Sequence, residues 1–207
     1  GKNRCGRHRA AVWKRSALLF QLNLTEKDGC RRTIGSDEAL KWNEGAWEFA
    51  DLIVGESYDA GKERDGWLET GYDDSDWKPV VLRDYGYEEL ELQSIEPVRV
   101  LRTITPKVCH TPNGELLIDA GENIVGYVSF ELQLEAGQEV KLEYTETVDK
   151  EGNFLRNIIG QNKQQTDYYR CAKSGVCKWR PLFSSMDFNM CGSPERTTRI
   201  RNITGST

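Results

Sequence analysis

Residues 116–148 read LLIDAGENIVGYVSFELQLEAGQEVKLEYTETV, and their apolar period points to paired strands. From Ile124 to Leu134 apolar and polar residues alternate, so Val128, Phe130, Leu132 and Leu134 share one face of a strand. Ala136-Gly137-Gln138 makes a turn, and Val140, Leu142 and Tyr144 repeat the period of two on the way back. ELLIDA, Glu115–Ala120, reads as a shorter strand of its own. Between these runs lie Asp119, Gly121, Asn123 and Gly126. Glycine lets a strand bulge or approach a neighbour closely, and Asn can bond its own loop backbone, so the expected role of these four is structural.

Outward from this stretch the pattern persists. VRVLRTITPKV (98–108), TDYYRCA (166–172) and VCKWRPLF (176–183) are strand-like. Short strands at roughly 8–12-residue spacing, with Gly, Pro and Asp between them, predict a β-sandwich. Tyr168 and Tyr169 fall on opposite faces, one buried and one exposed. No amphipathic helix of ordinary length is evident. Cys171 and Cys177 flank Ala-Lys-Ser-Gly-Val and either bridge a hairpin or stand as two thiols on a half-buried strand.

Towards the N-terminus, LLFQLNLT (18–25), a Lys27-Asp28-Gly29 turn and CRRTIG (30–35) predict a hairpin. The run from Phe49 to Trp77 is rich in Gly, Asp and Ser and reads as ordered loops, with a short helical turn at Asp73–Trp77 capped by Asp73 or Asp74. Residues 80–97 read as a connector. The expectation is all-β, with two jelly-roll-like β-sandwich domains at 1–90 and 91–195, the first incomplete, and a polar, frayed tail at 196–207.

The chain has 207 residues, with 28 Lys plus Arg against 33 Asp plus Glu, a net charge of -5. There is no net positive field for phosphate backbones or anionic lipid, and no apolar run of about 20 residues to span a bilayer. Neither nucleic acid nor membrane is an expected partner. The basic opening GKNRCGRHRAAVWKR lacks the apolar core of a signal peptide. The 6 cysteines lack metal-ligand spacing. Sequons at Asn23 and Asn202 matter only in a glycosylating host. A periplasmic, extracellular or cytoplasmic site suits this composition equally.

Sugar recognition needs aromatic faces and planar polar groups. Trp42, Trp47, Tyr58, Trp67, Tyr72 and Trp77 offer the first, and Asp51, Glu56, Asp59, Asp73 and Asp74 the second. The competing reading is that the tryptophans pack a sandwich edge and the aspartates cap turns.

Several phrases in one order, LLFQLNLTEKDG, TIGSDEALKW, GESYDA, GWLETGYDDSDWKPV, then LLIDAGENIVGYVSFELQLEAGQEVKLEYTETVDKEGNFLRN and QQTDYYR, carry a resemblance over residues 18–150 and beyond. They resemble the non-catalytic N-terminal β-domains of bacterial-type α-L-rhamnosidases, glycoside hydrolase family 78. The resemblance implies that catalysis, by paired acidic residues, belongs to an (α/α)6 domain which this chain lacks. It implies an accessory fragment, inactive alone, with that catalytic domain as partner and rhamnosides as candidate ligands. It also directs sugar binding to GESYDA, hence Glu56, Tyr58 and Asp59 beside Trp42, Trp47 and Asp51. Calcium is implied as a cofactor by resemblance alone. Asp119, Gly121, Asn123 and Gly126 could alternatively touch the absent domain. The family's Gln in the "GQN" run is Glu122 here, and SSMDFNMCG matches weakly. A stand-alone rhamnose-binding module and a ligand-free assembly piece, dimeric through open sheet edges, are the alternatives.

Overall fold

The computed structural model describes residues 17–52, 54–84, 86, 90–91, 93–155, 165–184, 186–193 and 202–206. The described elements are strands, apart from a 3-10 turn at Ala60–Lys62. They fall into two units. One holds the described parts of 45–63 and of the chain from 96 onward, and the other holds the described parts of 7–44 and 64–95.

The smaller unit contains β1 (Gln21–Thr25), β2 (Arg31–Gly35), β3 (Lys41–Trp42) and β6 (Lys78–Pro79). β1 and β2 form the expected hairpin, antiparallel from Gln21↔Gly35 to Thr25↔Arg31. β3 pairs with β6, and Lys41 reaches Asp74 at 2.8 Å. The expected helical turn at 73–77 is instead a pair of turns: the Ser75 N–H donates to Asp73 Oδ1 and the Trp77 N–H to the Asp74 carbonyl. The side chain of Asp73 closes a local turn, as short acidic residues do, and no second helical bond follows.

The larger unit is built from β4 (Trp47–Asp51), β5 (Gly55–Asp59), β7 (Arg102–Ile104), β8 (Lys107–His110), β9 (Leu116–Leu134), β10 (Glu139–Thr145), β11 (Thr166–Arg170), β12 (Gly175–Trp179), β13 (Met186–Ser193) and β14 (Asn202–Ser206). The sheet path runs β4-β5-β11-β10-β13-β9-β14-β7, with β8 and β12 also bonded to β9. The two strands expected at 115–120 and 124–134 are one 19-residue strand, beginning at Leu116. Its first half pairs with β8 and β13, and its last five residues pair with β12. Between Asp119 and Ile124 its register against β13 slips, at Gly121 with φ 79°. A bulge there bends the strand without ending it.

Two layers face each other across the core. Phe130 on β9 meets Tyr169 on β11 edge to face at 5.5 Å, although these strands share no ladder. Val128, Leu132, Leu134, Val140, Leu142 and Tyr144 fill the space between, all buried. The turn at 135–138 therefore joins strands of opposite layers and is an arch, as is the loop from Cys171 to Gly175. The two arches are bonded together: the Gly137 N–H donates to the Cys171 carbonyl and the Ala136 N–H to Ser174 Oγ. The hairpin considered for residues 171–177 is thus not formed.

Three further expectations need correcting. The region 49–77 is not all loop, because β4 and β5 lie in it, and β5 joins β11 in parallel through Ser57↔Tyr168 to Asp59↔Arg170. Residues 45–63 thereby belong with the later strands. VRVLRTITPKV is two short strands split at Thr105-Pro106, where proline has no N–H to give a ladder. In the polar tail, residues 202–206 form β14 between β7 and β9. Backbone pairing needs no apolar alternation, so the tail gave no such signal.

Candidate functional site

Gly55 explains how β5 docks. Its φ is +113°, and a Cβ there would stand 2.1 Å from the Thr166 carbonyl oxygen. Only glycine permits this approach. Beside it, Glu56 and Asp167 are both 0% exposed. The Glu56 N–H donates to Asp167 Oδ1 at 2.9 Å, Ser184 Oγ donates to the same oxygen at 2.7 Å, and Tyr144 OH donates to Oδ2 at 2.6 Å. Burial pushes the Asp167 carboxyl above its ordinary range, although those donors pull it down. The Glu56 carboxylate accepts from Trp47 Nε1 at 3.2 Å and from the N–H groups of Leu182 and Phe183 at 3.0 and 2.6 Å. Both carboxyl groups are thus engaged inside the protein. Glycoside hydrolysis needs two that face a bound sugar, and this pair does not.

What the brace does is hold one wall of a groove. Trp47, oriented by Glu56, packs edge-on to Tyr58 at 4.8 Å and to Phe183 at 5.5 Å. Tyr58 stacks parallel to Tyr169 with centroids 6.1 Å apart, and Trp179 lies 5.5 Å from Tyr169. Trp47, Tyr58, Tyr169 and Trp179, with Phe130, line a groove of about 530 Å³ that also takes in Glu63, Ser129, Glu131, Lys178, Arg180 and Leu182. The Tyr58 hydroxyl donates to the Glu63 carboxylate. Burial first, and that bond second, raise the pKa of Tyr58, so the phenol stays protonated. Burial likewise raises Tyr169. On the rim, Lys178 pairs with Glu131 at 3.1 Å, and Arg180 donates to Tyr127 OH at 3.0 Å. Ring faces flanked by charged planar groups of both signs suit an uncharged polyhydroxyl ligand.

Of the residues singled out from sequence, the structure brings Trp47 and Tyr58 together at this groove and places Glu56 behind it. Asp59 caps the 3-10 turn, accepting from the Gly61 N–H, and stands 3.8 Å from Arg170. Asp51 accepts from the Val54 N–H. Trp42 lies in the smaller unit, where Lys78 Nζ sits 4.7 Å over its ring. Trp67 is exposed in that unit, and Tyr72 packs on Trp77. Asp119 accepts from the Gly121 N–H at 2.7 Å, Asn123 is exposed, and Gly126 is buried against β13 and β14. Glu122, at the position of the family's Gln, binds Arg102 at 2.6 Å. Tyr168 is half-buried and Tyr169 buried.

Among the described residues no three His, Cys, Asp or Glu side chains converge as metal ligands. Asp51, Glu56 and Asp59 each already accept from backbone N–H groups, and calcium wants six to eight oxygens. Sequence reasoning missed Tyr169, Trp179, Lys178 and Arg180 as site residues. The alternation in VCKWRPLF does put Cys177 and Trp179 on the inward face, but only the fold shows that Tyr58 lies opposite.

The fold and the groove define an all-β sandwich module in which the fully buried carboxyl pair is structural. Comparison with known proteins makes the assignment specific. The α-L-rhamnosidase N-terminal domain model matches residues 2–102, and the bacterial α-L-rhamnosidase concanavalin-like domain model matches residues 109–191. An α-L-rhamnosidase of Streptomyces avermitilis is 32% identical over 177 residues, covering 84% of this chain and 17% of the relative. One from Alteromonas is 29% identical over 192 residues, covering 89% and 20%. Among solved structures, the native enzyme of Aspergillus terreus superposes with a TM-score of 0.80 at 26% identity, covering 90% of this chain and 22% of that one. The S. avermitilis enzyme complexed with L-rhamnose gives 0.80 at 27%, covering 90% and 19%. The chain belongs to the α-L-rhamnosidases of glycoside hydrolase family 78 and corresponds to their N-terminal β-domains. It spans between 17% and 20% of the length of the curated relatives it matches.

Proposed function

We propose that this chain is the non-catalytic accessory part of an α-L-rhamnosidase, the parent reaction being hydrolysis of terminal α-L-rhamnosyl bonds. In this reading it supports a separate helical catalytic domain, and the groove of Trp47, Tyr58, Tyr169 and Trp179 holds a sugar residue of a rhamnoside. One observation carries the sugar-binding part. The aromatic walls of the groove are built, with Glu56 fixing the Trp47 indole from behind, while Glu56 and Asp167 themselves are fully buried. A deoxy sugar offers an apolar face to the rings and hydroxyls to Glu63, Lys178 and Arg180.

Calorimetric titration of the chain with L-rhamnose tests this. Saturable heat is expected with wild type and is lost in Trp179→Ala, with circular dichroism showing both folded. No heat at millimolar sugar from a folded sample would leave support of the catalytic domain as the function and remove the sugar site.

A further inference from the structure

Cys171 follows β11 directly and Cys177 lies in the middle of β12. β11 is bonded to β10 and β5, and β12 to β9, so the two cysteines come from opposite layers of the sandwich. Their Sγ atoms are 2.9 Å apart. Cys171 is 2% exposed and Cys177 half-buried, and both pack on the core. Two residues away along each strand stand Tyr169 and Trp179, the rings that line the groove, 5.5 Å apart. The arch between the cysteines is bonded to the neighbouring arch through Ser174, which donates to Glu135 at 2.8 Å, so the loop geometry is already set.

We propose that Cys171 and Cys177 are a redox-responsive pair that closes to a disulfide and clamps the two layers together at the end of the aromatic groove. The sulfurs need to approach by less than about 1 Å to reach bonding distance. Cys177, the more accessible thiol, gives its proton to water and attacks one sulfur of a small-molecule disulfide such as oxidised glutathione. One glutathione thiolate leaves, and a mixed disulfide forms. Cys171, whose thiol burial holds above its ordinary pKa, then loses its proton and attacks the Cys177 sulfur. The second glutathione leaves. Two protein thiols are oxidised, and one glutathione disulfide is reduced to two thiols. A closed bond restricts the unfolded chain and fixes the spacing of β11 and β12, hence of Tyr169 and Trp179. The inference stands on the cysteine geometry and is independent of sugar binding.

The test uses the whole purified chain, treated with oxidised glutathione or with dithiothreitol, then alkylated and digested without reductant. Mass spectrometry of the oxidised sample is expected to show one peptide pair joined through Cys171 and Cys177, with Cys30 and Cys109, both exposed, still alkylated or glutathionylated. The Tm of the oxidised chain should exceed that of the reduced chain by about 5 °C, and the gain should vanish in Cys177→Ser. Cys171→Ala serves where the serine variant does not fold, and the mapping of wild type needs no variant. Recovery of Cys171 and Cys177 as alkylated thiols after oxidation would overturn the proposal. So would their pairing with other cysteines, or a Tm gain that survives in the variants.

Discussion

The strands β9 and β10 and the hairpin β1–β2 carry the same period of two and end in opposite states. Val128, Leu132 and Leu142 are 0 to 3% exposed, whereas Leu22 and Leu24 remain 47% and 39% exposed. The local sequence cue is equivalent. What differs is the second layer: β9 and β10 are joined by an arch, so their apolar faces meet, while β1 and β2 pair side by side and point their apolar residues the same way. Alternation fixes that a strand forms and which residues share a face. Burial requires an opposing sheet, which alternation does not encode. The candidate site follows the same division, since its rings come from β4, β5, β11 and β12, where two layers face each other.

The largest expected effect strikes the point where β5 is fixed to that sandwich. Gly55→Ala puts a methyl group 2.1 Å from a carbonyl oxygen at φ +113°, and its cost is expected to exceed about 4 kcal/mol. Loss of the cooperative urea transition would show it, and a variant as stable as wild type would break the account of β5 docking. Next, Leu132→Ala should cost about 3 kcal/mol by opening the core, and Leu24→Ala less than about 1 kcal/mol. Equal costs in urea melts would mean that the two regions are alike after all.

A smaller, pH-dependent effect comes from Asp167. Burial raises its folded pKa above the ordinary 3.8, so between those values the native state binds more protons than the unfolded chain. This contribution to stability is therefore full at low pH and is lost as pH rises through the folded pKa. Asp167→Asn cannot titrate. The stability of wild type minus that of the variant should fall with rising pH, as urea melts between about pH 4 and pH 7 would record. A difference that rises with pH would mean that Asp167 is stabilised as an anion by its three donors.

The sequence made residues 116–148 legible because their period is local and their turn residues are adjacent. It also carried the family resemblance, in GESYDA among other phrases. It concealed β4 and β5 because Gly55 looks like a turn glycine, whereas it serves a close approach to Thr166. The brace of Glu56 on Asp167 joins residues 111 apart, and no local pattern records such a pairing. Sequence alone therefore offers Glu56 as a sugar ligand, whereas its carboxylate lies behind the groove and fixes Trp47. Tyr169 and Trp179 were legible as strand residues, but their meeting with Tyr58 depends on two arches that bring opposite layers together.

A hydrolysis assay probes whether this chain is a non-catalytic part of a rhamnosidase. Purified, folded chain is incubated with an aryl α-L-rhamnoside, and released phenol is followed over hours. No turnover above the uncatalysed rate is expected. Turnover that is abolished by substituting a carboxylate of this chain, with the fold intact, would contradict it.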